Sequence, residues 1–291
     1  MNGDLSMQLD SMIKIKKKFT LTERQILHFE TFGFLVRRQV FKPEEIEKIN
    51  EEFSRRRVSI LAELDPKEKK NFRTWPIRNP GTPFIASLLE DPRIYVPSEQ
   101  LVGEDSVLFQ SNCNSYSVDT NWHSDTKYRH LRSIKNVMYL QPTNGECGAL
   151  RLIPGSHKSP LYDELVRMGL DLYVDDCESF FLKDSDFRGE DIPCYIFSSQ
   201  PGDIIIFNQS TWHAAYGTSD YRRTCTFNFI GNPKTVEESQ ELHSMVERAG
   251  KHSFKELPVQ GPQCHPQWLA NSEGNIRRAR WINKLRKFGF L

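Results

Sequence analysis

The chain has 291 residues, 38% of them hydrophobic, and 39 lysines and arginines against 38 aspartates and glutamates. That is enough apolar material for a full core, and a formal charge of +1 gives no electrostatic case for nucleic acid or a membrane surface. No apolar run reaches the length of a bilayer span, no hydrophobic stretch follows the early lysines, and the six cysteines include no C-x-x-C pair; a secretory signal, a disulfide frame and a cysteine-zinc site are therefore not expected. The reading is a cytoplasmic protein with free thiols.

Residues 1–18 are polar and end in three lysines, and read as a flexible N-terminal segment ahead of a single domain over 19–291. Thr22, with Gln25 three residues later, forms a capping-box signature for a short helix that Gly33 ends. FLVRRQVF then reads as a strand, and Pro43-Glu44-Glu45 opens a second helix whose apolar stripe is Ile46, Ile49, Phe53 and Val58. The segment 64–85 carries several prolines and reads either as a plain surface loop or as a lid bringing Trp75 and Arg78 over a site.

From about 105 to 231 the texture changes to short runs with period-two character, separated by turn signals such as Pro154-Gly155-Ser156 and Pro201-Gly202-Asp203. Many short strands of this kind predict a sandwich or barrel, for which a jelly roll is one solution. The polar stretch 160–193 reads as an insert of helix and loops. The tail, 255–291, ends in a basic amphipathic helix expected to dock through Ile276, Trp281, Ile282 and Leu285.

The stretch NWHSDTKY places His123 and Asp125 two residues apart, so on an extended strand both side chains would share one face. Such a pair alone is a weak signal. His213 follows the strand-like run PGDIIIFN and supplies a third ligand, completing the two-histidine, one-carboxylate set of non-haem Fe(II) oxygenases, which leaves three coordination positions open. Those positions suit a bidentate 2-oxo acid and dioxygen. The far carboxylate of such an acid needs a planar, permanently charged fork, which arginine provides. In RRTCTFNF, Arg222, Thr224, Thr226 and Asn228 form a polar face, and Arg223, Cys225, Phe227 and Phe229 a mostly apolar one. A ligand-lined interior takes the polar face, so Arg222 is the expected anchor, with Arg223 second and Thr224 beside it. Gln110, Asn112 and Asn114 share one face of an earlier strand; Gln110, Asn112 and Tyr139 are candidate substrate contacts. His157 reads as a turn residue outside the site and His130 as an exposed loop residue.

The H-x-D pair, the segment CGALRLIPGSHKS, the PGD-strand-His element and the arginine nine residues after His213, together with the opening LTERQILHFETFGFLVRRQVFKPEEIEKI, resemble the phytanoyl-CoA dioxygenase family over roughly residues 19–232. The resemblance implies a mainly β double-stranded β-helix (jelly-roll) with flanking helices, iron at His123, Asp125 and His213, and 2-oxoglutarate at Arg222. It also implies hydroxylation of a small or mid-sized molecule with release of succinate and CO2. Many members carry a hydroxyl residue two positions after the distal histidine, where this chain has Ala215; Thr224 or Thr226 are the candidate substitutes. Asp125 is intact, whereas halogenating relatives have a small residue there. A catalytically silent jelly-roll binding protein, or the same iron chemistry giving desaturation, epimerisation or cyclisation, are the competing readings. The sequence leaves substrate and oligomeric state open.

Overall fold

A computed structural model describes residues 17–170, 188–217, 221–252, 261–272 and 275–291. The expected flexible segment 1–18 and the middle of the insert 160–193 thus lie largely outside the described residues. Helix α1 (Glu23–Phe32) opens on Thr22, whose hydroxyl accepts from the Gln25 amide while the Gln25 side chain accepts from the Thr22 amide. This meets two of the N–H groups that a helix start leaves without partners. Gly33 ends the helix at φ 83°. A Cβ there would stand 2.6 Å from both His157 and Thr211, so both the backbone angle and the close approach require glycine. After strand β1 (Phe34–Arg37), helix α2 (Pro43–Glu63) buries Ile46, Ile49, Phe53 and Ile60. Val58, expected on that stripe, is 66% exposed. The helical repeat carried on from Phe53 arrives at Ile60, and Val58 falls on the far side.

The segment 64–85 is neither a plain loop nor a lid. It contains helix α3 (Pro66–Asn71), strand β2 (Thr74–Pro76) and the start of helix α4 (Pro83–Ser87), and is followed by α5 (Pro92–Val102). β2 pairs with β3 (Val107–Tyr116) in the register Trp75 to Cys113. Trp75 is 1% exposed, with its ring 4.6 Å from that of Phe53 and stacked on Phe72. It is a core residue on the outer side of the sheet, and this corrects its candidacy as a substrate contact. Arg78 is fully buried; its guanidinium donates to the Phe109 carbonyl and lies 5.5 Å from the Trp268 ring, while its own carbonyl accepts from His265. Burial pulls its pKa down. It ties this segment to the C-terminal tail, which corrects its lid assignment too.

The remaining strands are β4 (Thr120–His123), β5 (Ser133–Tyr139), β6 (Leu150–Leu152), β7 (Tyr195–Phe197), β8 (Ile204–Asn208), β9 (His213–Ala215) and β10 (Arg222–Ile230). They form two antiparallel sheets, one ordered β1-β8-β5-β10-β3-β2 and the other β4-β9-β6-β7. This is the expected mainly β jelly-roll arrangement with flanking helices. Alternation along each strand divides the core into layers. Ile205 and Phe207 of β8, Val137 and Tyr139 of β5, Leu150 and Leu152 of β6 and Phe197 of β7 make one cluster between the sheets. Ile204, Ile206, Met138, Cys225, Phe227 and Phe229 point the other way, into a larger cluster with Ile49, Phe53, Trp75 and Leu89. Helix α6 (Leu161–Arg167) covers the outer side of the smaller sheet through Tyr162 and Leu165, packed with Trp122 and Trp212.

The tail forms α7 (Val236–His252), α8 (Pro266–Ala270) and α9 (Ile276–Lys287). Trp281, Ile282 and Leu285 are buried as expected, but Ile276 is 88% exposed. It is the first residue of α9, a turn before Ala279 and Arg280, and projects beyond the docked face. Among the described residues no helix is long and apolar enough to cross a membrane.

Candidate metal centre

His123 ends β4 and His213 begins β9, and the two are direct partners in the antiparallel register. Their ring centroids lie 4.2 Å apart. Asp125 lies past the end of β4 rather than on an extended strand, and the chain's turn there brings its carboxylate to the histidines. His123 Nε2 is 4.0 Å from Asp125 Oδ1 and His213 Nε2 is 3.7 Å from Oδ2. One ligand atom from each residue lies within 4.8 Å of the others. Metal bonds of about 2.0–2.2 Å then need only a small inward rotation of each side chain.

The imidazoles are oriented for this task. His123 Nδ1 is 2.7 Å from the Asn121 carbonyl and His213 Nδ1 is 2.9 Å from the Thr211 carbonyl. A carbonyl only accepts, so Nδ1 carries the proton in each ring and the Nε2 lone pair is free for a metal. Burial, reinforced by the neighbouring His123, takes the His213 pKa down to about 3 and keeps the ring neutral. Burial opposes ionisation of Asp125, but the Lys135 ammonium outweighs it and holds the carboxyl well below the usual carboxylate range. Lys135 Nζ lies 2.7 Å from Asp125 Oδ2, an ion pair that helps to keep the carboxylate charged. Two neutral nitrogens and one carboxylate fit a divalent iron centre with an open face.

The polar face of β10 turns inward. Arg222, Thr224, Thr226 and Asn228 are all buried between the sheets, in cross-strand register with Tyr116, Asn114 and Asn112 of β3 and with Tyr139, Val137 and Lys135 of β5. Arg222 donates to Thr120 Oγ1 at 2.9 Å and to the Gly148 carbonyl at 3.3 Å, and its guanidinium lies 5.3 Å from the Tyr116 ring. Arg223 points outward, where its Nε meets Gln141 at 3.3 Å. Thr224 Oγ1 accepts from Asn114 at 3.1 Å. Tyr139, directly across from Thr224, is 2% exposed, and burial pushes its hydroxyl up to about 12. Ala215 offers no hydroxyl. Asn112 accepts from Gln263 of the tail at 2.8 Å, and Gln110 is half-buried where the β3–β10 register shifts.

His157 is outside the centre as expected, though buried rather than in an open turn: its Nε2 meets the Glu30 carbonyl at 3.2 Å. His130 is exposed. Two features escaped the sequence reading. Lys135 was findable, because alternation in SIKNVMY puts it on the face of Val137 and Tyr139. Glu241 was not: from α7 its carboxylate accepts from the backbone amides of Arg129, His130 and Leu131, clamping the loop that follows Asp125. No local pattern announces a contact between residues more than a hundred positions apart.

Known proteins share this arrangement of strands. HygX from Streptomyces hygroscopicus, solved with nickel and 2-oxoglutarate bound, superposes with a TM-score of 0.57 at 22% identity, covering 74% of this chain and 89% of that one. EctD from S. alaskensis, solved with 2-oxoglutarate and 5-hydroxyectoine, superposes with a TM-score of 0.55 at 19% identity, covering 72% and 76%. At such identities the likeness carries the fold alone. The ectoine dioxygenase of Bordetella bronchiseptica is 25% identical over 165 residues, which is 47% of this chain and 50% of that protein. The chain thus spans about half the length of the curated relatives it matches. The sequence profile of the phytanoyl-CoA dioxygenase (PhyH) family matches residues 29–225, a stretch that holds all three candidate ligands and Arg222, and the chain belongs to that family.

Proposed function

We propose that this chain is an Fe(II)- and 2-oxoglutarate-dependent dioxygenase that hydroxylates a small or mid-sized organic substrate. The observation that carries the reading is the convergence of His123, Asp125 and His213 in one cluster. Buried Arg222 faces the same interior from the end of β10. Bound Fe(II) supplies the oxidative chemistry, in which 2-oxoglutarate and dioxygen yield succinate, CO2 and an oxidant for a substrate C–H bond.

The chain's own residues bind, orient and exclude water. His123 and His213 offer Nε2 because their own strands fix Nδ1 as a donor. Arg222, its fork held by Thr120 and the Gly148 carbonyl, grips the far carboxylate of the co-substrate, with Thr224 and Tyr139 lining that end. Val137, Leu152 and Phe207 keep the interior dry. Gln110 and Asn112, both half-buried on β3, contact the substrate.

The test is anaerobic addition of Fe(II) and 2-oxoglutarate, which is expected to give the weak visible charge-transfer band of the chelate. Asp125→Ala abolishes both that band and succinate formation while leaving the far-UV dichroism intact. A colourless wild-type mixture, with no iron bound, would sink the reading in favour of a silent binding protein.

A further inference from the structure

Two independent strand paths lead from Arg222 to Lys135, and one of them carries the candidate metal ligands. On the smaller sheet, Arg222 is bonded to Thr120 at the start of β4; His123 ends that strand and pairs with His213; and Asp125 beyond them meets Lys135. On the larger sheet, β10 runs from Arg222 to Asn228, which is in register with Lys135. Six residues of strand span about 20 Å. Arg222 and Lys135 therefore stand on opposite sides of the three ligands. An arginine that holds the co-substrate from one side leaves Lys135 on the other.

The charges around the centre do not balance without a further anion. Ferrous iron, the Asp125 carboxylate and doubly charged 2-oxoglutarate together carry one net negative charge, which Arg222 offsets. Lys135 is then one positive charge in excess, in an interior where an uncompensated charge is costly. Its side chain is only 19% exposed and stands over the Phe207 ring at 5.9 Å. Asp125 is its one acidic partner among the described residues, and iron would take up much of that carboxylate's charge. An ammonium has three donors, and Asp125 Oδ2 at 2.7 Å engages one of them. Beside it the Asn228 side-chain oxygen is buried with no hydrogen-bond partner. Turned about its last torsion, the same amide presents N–H there instead.

From this geometry we infer that the substrate is an anion, held through a carboxylate or similar group by Lys135 with Asn228 beside it, on the side of the metal away from Arg222. Lys135 thereby selects acidic over neutral substrates. The inference rests on the iron and 2-oxoglutarate reading and names the substrate class for that site.

The experiment uses the anaerobic Fe(II)–2-oxoglutarate form of the full chain. It is titrated with straight-chain and aromatic carboxylic acids, each paired with its primary amide, and the perturbation of the charge-transfer band is recorded. Acids are expected to perturb the band at concentrations roughly 10–100-fold lower than their amides, the range for one charge-assisted hydrogen bond. Lys135→Met removes that preference and Lys135→Arg restores most of it. Equal responses to acids and amides, including none to either, overturn the inference, as does an acid preference that survives in Lys135→Met. A variant that weakens the band for every compound alike makes Lys135 a holder of Asp125 rather than a selector, and also overturns it. Absence of the band in the unsubstituted protein before any acid is added is a separate result, and it strikes the iron reading itself.

Discussion

The two faces of β10 do opposite work within nine residues. Cys225, Phe227 and Phe229 on one side are completely buried against the helical layer. Arg222, Thr224, Thr226 and Asn228 on the other are also buried, yet every one is polar. Burying apolar side chains stabilises a fold, whereas burying polar ones costs free energy unless partners are supplied. Some partners are present: Thr226 donates to the Asn112 carbonyl and Asn114 to Thr224. Another is missing, at the Asn228 side-chain oxygen. The outer face is finished by folding alone, and the inner face is left incomplete in a way that a metal and small molecules would complete.

This contrast can be broken from either side. The largest effect is expected on the outer face, where Phe227→Ala removes a fully buried ring and costs about 3–5 kcal/mol. Chemical denaturation reads it as a lower midpoint, and at temperatures where the variant is folded its 2-oxoglutarate affinity stays within a few-fold of the parent. On the inner face, Arg222→Met is expected to weaken 2-oxoglutarate binding by roughly 2–4 kcal/mol, since a buried charge pair loses one member. Arg223→Met, one residue away but facing outward, changes it by less than about 1 kcal/mol. Comparable losses from the two arginines, in titrations of the anaerobic complex, would refute the assignment of faces.

A further effect concerns protons. The His213 pKa is depressed to about 3 in the folded protein from an ordinary 6.5, so between those values the unfolded chain holds the extra proton. Stability of the metal-free protein therefore falls as pH drops below about 6.5, by up to about 1.4 kcal/mol per unit from this group. His213→Gln is expected to flatten that slope, read as the difference in denaturation midpoints between pH 7 and pH 5. An unchanged slope would mean that the ring is not held neutral by its surroundings.

Much of the centre was legible because its signals are local. Two candidate ligands lie two residues apart, the third follows a turn and a strand, and the Arg222 face follows from alternation. The turn itself is built as its residues imply: Gly202 adopts φ 98°, and Asp203 accepts from the Gln39 and Gln200 amides. Trp75 and Arg78 were misread because proline-rich sequence looks irregular, whereas Thr74–Pro76 joins the sheet edge and carries the indole into the core. Ile276 was misread because a helical stripe does not state where contact with the domain begins.

Sequence by itself determined the candidate ligand types, their order along the chain and which face of β10 is polar, since these depend on chemistry and a two-residue period. Tertiary structure alone decided that Lys135 stands against Asp125, that Glu241 clamps the following loop, and that Arg78 is sealed beneath the tail. Such contacts join side chains that only the closing of two sheets and the docking of α7–α9 bring together, and no spacing along the chain encodes that distance.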